Sequence, residues 1–237
     1  GKTTTLYAML QSANDPGVKI ITAEDPVEYD IDGIVQVPIN EEIGVTYAKV
    51  LRTMLRQDPD KILVGEIRDR DTAATAVEAS LTGHTVLSTL HTNDAPSAVT
   101  RLIDIGVEPF MITATLEAIV AQRLVRRVCG NCKESFVPDD DLLRELGPDG
   151  DKLRGATFYY GKGCDQCHQT GYRGRQGIYE VLIMNDTLRK IVLAGGSTAE
   201  LRAAAIAGGM RTLREAGLQS VTEGRTTVEE VLRETMA

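Results

Sequence analysis

The sequence predicts an α/β fold in which helices cover both faces of a parallel β-sheet. In residues 1–125, short runs rich in β-branched residues alternate with segments whose apolar residues recur at helical spacing. Four cysteines follow in a region where glycine, aspartate and other turn residues replace the periodic apolar positions. Beyond Asn185 the helical pattern returns. We therefore expect a core domain at 1–125, a cysteine-bearing module at 126–180 and a small helical region at 181–237.

Each strand of the predicted sheet is a short apolar run, and helices lie between these runs. One helix, at 46–57, begins at a capping threonine, Thr46, and ends before Pro59. A second helix, at 71–83, ends on Gly83, which is typical of a C-cap. The predicted strands lie at residues 18–25, 34–39, 61–67 and 84–90.

The remaining helices follow the predicted sheet. Two are expected at 96–105 and 114–128, and three short ones follow Asn185, with capping boxes that start at Ser197 and Thr226. The end of the helix at 114–128 carries three cations, which favour the negative end of a helix dipole. A second interpretation is that these cations face an anionic partner or a neighbouring subunit. These cations are Arg123, Arg126 and Arg127.

Composition limits the classes of function. The chain has 237 residues and a formal net charge of −8, which argues against a protein whose main task is to neutralise a nucleic-acid backbone. No apolar run is long enough to cross a bilayer. The cysteines form two Cys-x-x-Cys pairs, which are more typical of a metal site in a reducing compartment than of disulfides. We expect a cytoplasmic, globular protein that binds no nucleic acid directly.

The first three residues, Gly1, Lys2 and Thr3, fit the last positions of the phosphate-binding motif G-x-x-x-x-G-K-[ST]. In that motif backbone amides hold the phosphates, the lysine reaches the terminal phosphates and the hydroxyl binds Mg²⁺. Taken alone, the three residues favour an ordinary capped helix start. Together with the residues downstream, they predict that the chain begins inside the motif, without its glycine-rich front.

Acidic residues follow two predicted strands, at the edge where ligands bind open α/β sheets. Glu66 ends one apolar run, and Glu24 and Asp25 end another. Carboxylates gathered at one edge favour Mg²⁺ with a triphosphate, where one carboxylate orients water and another holds the metal shell. Considered separately, the acids have simpler interpretations. Glu66 would pair with Arg68 or cap the next helix. The Asp-Pro pair after Glu24 would only form a turn.

Two histidines flank the last predicted strand. His84 begins the strand and His91 follows its end, so the two lie roughly 20 Å apart at about 3.3 Å per residue. Only His91 shares the edge where Gly1, Lys2, Glu24 and Glu66 gather, and we predict that it contacts the terminal phosphate. His84 is interpreted as a structural or coupling residue.

Five segments, in order, resemble the motifs of one family. They are similar to the Walker A end, Asp box, Walker B, His box and tetracysteine motif of the bacterial secretion superfamily ATPases. Within that superfamily, the chain resembles the type II secretion motors and the type IV pilus assembly ATPases from its first residue to its last. The segments are GKTTTLYAML, ITAEDPVEY, LRQDPDKILVGEIRD, TGHTVLSTLHTND and the paired Cys-x-x-Cys.

The resemblance implies a RecA-like P-loop core in a homo-hexamer that couples ATP hydrolysis to the assembly of pilin-like subunits. Such a motor is cytoplasmic and peripheral at the inner membrane, where it works on inner-membrane platform proteins. The family's N-terminal domain, which supplies arginines across the subunit boundary, is absent from this sequence, as is the front of the phosphate loop. We therefore expect the chain by itself to hydrolyse ATP poorly or not at all.

The resemblance also implies roles for individual residues. Glu66 is the Walker B acid and, with Thr3, a ligand of Mg²⁺; Glu24 is the acid of the Asp box, and His91 is the sensor. Gly65 stands where many P-loop enzymes carry a metal-binding Asp, so Glu66 must serve either the metal or the water, and the general base stays open between Glu24 and Glu66. The nucleotide-binding residues are Gly1, Lys2, Thr3 and Thr4.

The cysteines predict a structural zinc site. Two Cys-x-x-Cys turns separated by 31 residues can close a tetrahedral S₄ site with Zn–S bonds of about 2.3 Å. Four thiolates complete such a site, so we expect the neighbouring His168 to face solvent and the zinc to have no catalytic role. Within the resembled family, the tetracysteine motif is typical of motors for assembly or secretion, whereas motors for pilus retraction generally lack it. The ligands are Cys129, Cys132, Cys164 and Cys167.

Two alternatives stay open. The first is a zinc-ribbon adaptor whose P-loop-like core binds a partner or nucleic acid without hydrolysing ATP; the acidic net charge weakens its nucleic-acid version. The second is an ATPase of the DNA-uptake or conjugation machines, which share this core. The sequence does not distinguish a type II secretion system from a type IV pilus.

Overall fold

A four-stranded parallel sheet lies in the first part of the chain, as the sequence predicts. The computed structural model describes residues 1–235. Its sheet consists of β1 (Ile20–Glu24), β2 (Ile34–Pro38), β3 (Lys61–Val64) and β4 (Thr85–Ser88). Their order is β2-β1-β3-β4, and each neighbouring pair is parallel. β1 is buried along its whole length, so it lacks the polar–apolar alternation of a half-exposed strand.

Helices surround this sheet and recur in the later part of the chain. The predicted helices at 46–57 and 71–83 are present as α2, extended by a 3₁₀ turn at Leu55–Gln57, and as α3. The helices of the described residues are α1 (Lys2–Ala13), α2 (Tyr47–Met54), α3 (Arg70–Leu81), α4 (Ala95–Ile105), α5 (Pro109–Thr115), α6 (Asp140–Glu145), α7 (Pro148–Lys152), α8 (Asp186–Leu193), α9 (Thr198–Ala207), α10 (Leu213–Thr222) and α11 (Val228–Thr235).

The two faces of the sheet bury different helices, because successive residues of a strand point to opposite sides. Leu10 of α1 packs on one face with Ile20 of β1. Ile21, the next residue of β1, faces the other side and packs with Leu51 of α2 and Ala76 of α3. The predicted arrangement of helices on both faces of the sheet is therefore confirmed.

The segment predicted as a helix at 114–128 is mostly a strand, and that prediction is wrong. α5 ends at Thr115, and β5 (Ala118–Val128) follows. β5 pairs with β8 (Tyr172–Ile183) in a two-stranded sheet, where Val125 packs with Ile178 in a buried cluster. The segment is rich in Val and Ile, which favour strands, and its partner strand lies far along the chain. This distant pairing overrides the helical spacing of its apolar residues.

Three arginines that we assigned to the end of that helix therefore lie on a strand, and the helix-dipole explanation for them is wrong. Arg126 is paired with Glu230 at 2.6 Å, and the Glu230 side chain is only 1% exposed. The guanidinium of Arg126 also lies 4.1 Å from the ring centre of Tyr172. Arg126 thus joins β5, β8 and α11 within one compact unit. The three residues are Arg123, Arg126 and Arg127.

One of the two predicted capping boxes is present. Ser197 and Glu200 form a reciprocal box at the start of α9, and a box that we did not predict begins at Thr212. Thr226 does not cap α11, which begins at Val228, and the N–H of Glu230 donates to the hydroxyl of Thr227 at 3.5 Å. The Thr226 hydroxyl instead donates a hydrogen bond to the Arg126 carbonyl oxygen at 2.8 Å. The predicted box is therefore present at α9 and wrong at α11, where the helix begins one residue later than predicted.

The chain folds as two compact units. The first contains Gly1–Ile119 and Leu182–Gly209, and the second contains Val120–Val181 and the described residues from Met210 onward. The predicted segment 181–237 contributes residues to both units, and the division into three domains stays a prediction. Among the helices of residues 1–235, none is both long and apolar enough to cross a membrane.

The second unit has a core of its own. The antiparallel pair β6 (Lys133–Phe136) and β7 (Phe158–Gly161) forms a small sheet. Phe158 is 1% exposed and packs with Leu146 and Val231. One Cys-x-x-Cys pair follows β5 and the other follows β7, so the two strand pairs of this unit fix the positions of both turns.

Candidate functional site

The first turn of α1 lies at the carboxyl end of the parallel sheet. The Lys2 Nζ donates a hydrogen bond to the carbonyl oxygen of Leu90, two residues beyond β4, at 3.1 Å. The N-cap residue, Gly1, has no side chain to cap the helix, and the first turn contains no acidic residue. Thr3 is half-buried there and Thr4 is exposed. Uncapped amides and the positive end of the helix dipole are suited to an anion such as phosphate.

Glu66 and His91 meet at the same end of the sheet. The Nε2 of His91 lies 3.0 Å from a carboxylate oxygen of Glu66, and the other oxygen of Glu66 is paired with Arg68. The backbone holds the two loops together, since the N–H of Ile67 donates to the carbonyl of Thr89 at 3.0 Å. The Glu66 side chain is 12% exposed, whereas those of Arg68 and His91 are 63% and 74% exposed. We call Lys2, Glu66 and His91 the edge cluster.

Glu24 ends β1 at this same sheet edge, but its carboxylate has different partners. It accepts hydrogen bonds from the hydroxyls of Tyr7 and Thr22 and, at 3.1 Å, from the amide of Gln36. Glu24 is 4% exposed. Burial and then the hydrogen bond to Glu24 raise the pKa of Tyr7. Within residues 1–235, no hydrogen bond or ion pair joins Glu24 to the edge cluster, so Glu24 lies at the predicted edge of the sheet without bonding to these three side chains.

Gly65 is required by close packing at the end of β3. A Cβ at this position would lie 2.8 Å from the Tyr47 hydroxyl and 3.1 Å from the carbonyl oxygen of Ala23. Both separations are shorter than ordinary van der Waals contact, so any larger residue forces its neighbours to move. An Asp here, as many P-loop enzymes carry, would require the Tyr47 side chain and the backbone at Ala23 to shift, and Glu66 is the first acid beyond the strand.

The four cysteines converge in the second unit. Their sulfur atoms lie within 4.8 Å of one another, with individual separations of 3.7 Å, 3.8 Å and 3.9 Å. Tetrahedral zinc with bonds of about 2.3 Å requires sulfur atoms about 3.8 Å apart. Backbone N–H groups of Cys164 and Gly171 also donate to the Sγ of Cys167, at 3.3 Å and 3.2 Å. The ligand set, Cys129, Cys132, Cys164 and Cys167, therefore fits zinc.

A family model for the type II/IV secretion system protein matches residues 1–233, a range that includes the edge cluster and all four cysteines. The chain belongs to the type II/IV secretion system protein family. The family resemblance inferred from five ordered motifs is confirmed.

Two relatives within this family are similar along the whole chain. The type IV pilus assembly ATPase PilB of Thermus thermophilus is 50% identical over 236 residues, which cover 100% of this chain and 26% of that protein. The type II secretion system protein E of Pseudomonas aeruginosa is 49% identical over 235 residues, which cover 99% of this chain and 46% of that protein. The chain thus spans less than half the length of these relatives.

Two solved structures of ATPase or motor proteins share the fold. The crystal structure of the pilus retraction motor PilT with bound ADP superposes with a TM-score of 0.73 at 27% identity, covering 100% of this chain and 58% of that one. The ATPase DotB of Legionella pneumophila superposes with a TM-score of 0.67 at 22% identity, covering 98% of this chain and 56% of that one, which supports the fold alone. The predicted α/β fold is confirmed.

The two histidines that we predicted to lie outside the nucleotide site and the zinc ligands are His84 and His168. The Nδ1 of His84 lies 2.9 Å from the carbonyl of Ala79 and 3.0 Å from the hydroxyl of Thr82, where it closes the end of α3. These contacts are consistent with the structural role that is one of the two predicted for His84. His168 is exposed beside the cysteines, as expected for a residue outside a complete S₄ site.

One residue near the edge cluster was missed in the sequence. Asp94 caps α4 by accepting a hydrogen bond from the N–H of Ser97 at 2.9 Å, and it is also paired with Arg202 of α9. The hydrogen bonds from Ser97 and the charge of Arg202 outweigh burial and lower the pKa of Asp94. The signal was present, because an Asp followed by Ala-Pro-Ser is a typical helix start. Asp94 fixes the far end of the loop that carries His91.

Proposed function

We propose that this chain is the nucleotide-hydrolysing part of a hexameric motor ATPase that powers type II secretion pseudopilus or type IV pilus assembly at the inner membrane. The observation that carries the proposal is the edge cluster, in which a lysine, a carboxylate and an imidazole converge beside the uncapped start of α1. The names of the relatives, a pilus assembly ATPase and a type II secretion protein, support the same activity.

The residues present fit ATP and Mg²⁺. The amides of the first turn of α1 would hold the phosphates, with Gly1 and Thr4 at their entrance, and Lys2 would exchange the Leu90 carbonyl for a terminal phosphate. The hydroxyl of Thr3 and the carboxylate of Glu66 would hold Mg²⁺. Bound Mg²⁺ supplies charge neutralisation for phosphoryl transfer.

We assign the proton-accepting, water-orienting role to Glu66 and not to Glu24. Three protein donors already occupy the carboxylate of Glu24 inside the core, which leaves it little capacity to accept from water. The partners of Glu66 are the exposed side chains of Arg68 and His91, which can move when a nucleotide binds. His91 would then contact the terminal phosphate and report its presence to Glu66.

The second unit would hold one structural Zn²⁺ on four thiolates. With four protein ligands no coordination position is open, so the metal would stabilise fold rather than carry out chemistry. Homo-hexamer formation, contact with inner-membrane platform proteins and a cytoplasmic, peripheral location belong to the same proposal. The net charge of −8 supports the absence of direct nucleic-acid binding. No observation favours the adaptor over the motor.

Substitution of Lys2 tests this proposal in the intact, full-length protein. Lys2→Ala is expected to lower kcat/KM for ATP by about 100-fold or more, because it removes the cation that stabilises the terminal phosphates. Lys49→Ala is the matched control, since Lys49 is exposed and its Nζ also donates to a backbone carbonyl, at 3.0 Å. The measurement is steady-state phosphate release. If the intact protein shows no turnover above Lys2→Ala, the motor proposal fails and the adaptor is favoured.

A further inference from the structure

Two glycines of the second unit approach each other more closely than residues with side chains can. Gly161 is the last residue of β7, and Gly171 immediately precedes β8. A Cβ on Gly161 would lie only 2.6 Å from the Cα of Gly171, and a Cβ on Gly171 would likewise overlap the backbone of Gly161. Gly171 also has a φ of 74°, which favours glycine. We call these two residues the glycine pair.

The backbone of Gly171 connects the two Cys-x-x-Cys turns. Its N–H donates a hydrogen bond to the Sγ of Cys167, in the second turn, at 3.2 Å. Its carbonyl oxygen accepts a hydrogen bond from the N–H of Cys129, in the first turn, at 2.9 Å. Gly171 is buried, so water does not compete for either bond. One residue that is not a ligand therefore holds a cysteine of each turn.

A second bond between the turns begins beside Gly161. The N–H of Lys162, the next residue, donates to the carbonyl oxygen of Cys132 at 2.9 Å. In addition, the atom nearest to a Cβ on Gly161 would be the carbonyl oxygen of Gly171, the acceptor of the bond from Cys129. A side chain at Gly161 would therefore push this carbonyl away and separate the two turns.

We propose that Gly161 and Gly171 are positioning residues of the zinc site, which bring the two Cys-x-x-Cys turns to the separation that a tetrahedral S₄ centre requires. The sulfur atoms already lie within 4.8 Å of one another, and the glycine pair lies between the segments that carry them. The N–H of Gly171 also stabilises negative charge on the Sγ of Cys167. This inference rests on the zinc site of the proposed function.

Gly161→Ala adds one methyl group at the contact between the two glycines. Groups that orient metal ligands typically change metal affinity by 10- to 100-fold when they are altered, so we expect the dissociation constant for Zn²⁺ to rise by about that factor. Competition with a chelator measures it. The visible absorption of Co²⁺ bound in place of zinc reports ligand geometry and should shift. A glycine that serves only the fold would lower the unfolding temperature and leave this spectrum unchanged.

Two glycines supply matched controls, because no atom of the described residues lies within 4 Å of a Cβ added to either. Gly130→Ala adds the same methyl inside the first Cys-x-x-Cys turn. Gly174→Ala has the φ strain of Gly171→Ala, 76° against 74°, without the close contact. Both controls should keep the zinc affinity and cobalt spectrum of the wild type. If folded Gly161→Ala matches Gly130→Ala in both measurements, the inference is overturned. If the wild type binds no Zn²⁺, the proposed zinc site itself has failed.

A second measurement needs no variant and decides the matter if Gly161→Ala does not fold. In the wild-type chain loaded with ¹¹³Cd²⁺, an amide proton that is hydrogen-bonded to a metal-bound thiolate shows scalar coupling to the metal in NMR spectra. We expect this coupling at the N–H groups of Gly171 and Cys164, the two donors to the Sγ of Cys167. If the cysteine β-protons couple to the metal and the N–H of Gly171 does not, the inference is overturned.

Discussion

Glu66→Gln is expected to lower kcat for ATP hydrolysis by about 100- to 1,000-fold in the intact protein, while ATP binding changes by less than about threefold. Gln has nearly the shape of Glu and can still contact His91, but it can neither accept a proton nor balance the charge of Mg²⁺. The substitution leaves Lys2 and the first turn of α1, the groups proposed to hold the phosphates, unchanged. Single-turnover hydrolysis and binding of a fluorescent ATP analogue measure the two quantities separately.

The control for this substitution is Glu78→Gln, which makes the same chemical change on the exposed side of α3. Its kcat should stay within about twofold of the wild type, because surface substitutions away from a site have little effect. Glu24→Gln distinguishes the two candidate bases. A severe loss in Glu24→Gln together with normal turnover in Glu66→Gln would reverse the assignment made from their hydrogen-bond partners.

Cys132→Ser is expected to abolish zinc binding and to unfold much of the second unit. Structural zinc contributes about 10–16 kcal/mol of apparent binding free energy in small zinc domains, which is comparable to the whole stability of a small domain. Loss of one thiolate leaves an incomplete site around three buried or half-buried sulfurs. Elemental analysis should give about one zinc per chain in the wild type and much less in the variant. Limited proteolysis should then cleave within Val120–Val181.

His168→Ala provides the comparison, since it alters an exposed neighbour of Cys167 and leaves all four thiols intact. It should keep one zinc per chain and the proteolytic resistance of the wild type. Wild-type protein that contains no zinc, or Cys132→Ser protein that resists proteolysis after chelation, would contradict a structural zinc. Neither result would bear on the edge cluster, because the cysteines belong to the other compact unit.

The strands of the sheet could be predicted because parallel core strands are buried on both faces. β1 and β3 carry short apolar runs, and the position of Glu66 just beyond such a run was enough to locate it at the carboxyl edge of the sheet, where open α/β sheets bind ligands. His91 was separated from His84 by strand length alone. In each case the local sequence and the geometry of a strand determine the position of the side chain.

The failures have a different origin. The apolar residues of β5 also fit helical spacing, and only its pairing with β8, a strand far along the chain, makes the segment extended. Glu24 and Glu66 are equivalent in the sequence, since both end apolar runs. They differ because Tyr7 of α1 and Gln36 of β2 supply donors to Glu24 alone. Hydrogen-bond donors that come from distant elements cannot be predicted from the sequence next to an acidic residue.

The structure of the intact protein with Mg²⁺ and a non-hydrolysable ATP analogue tests most directly whether one edge of the sheet forms the nucleotide site. We predict that the terminal phosphate accepts hydrogen bonds from Lys2 and His91, that Lys2 has left the Leu90 carbonyl, and that Glu66 faces the phosphate across the metal. Phosphates bound elsewhere, with Lys2 still on Leu90 and His91 still on Glu66, would contradict this site.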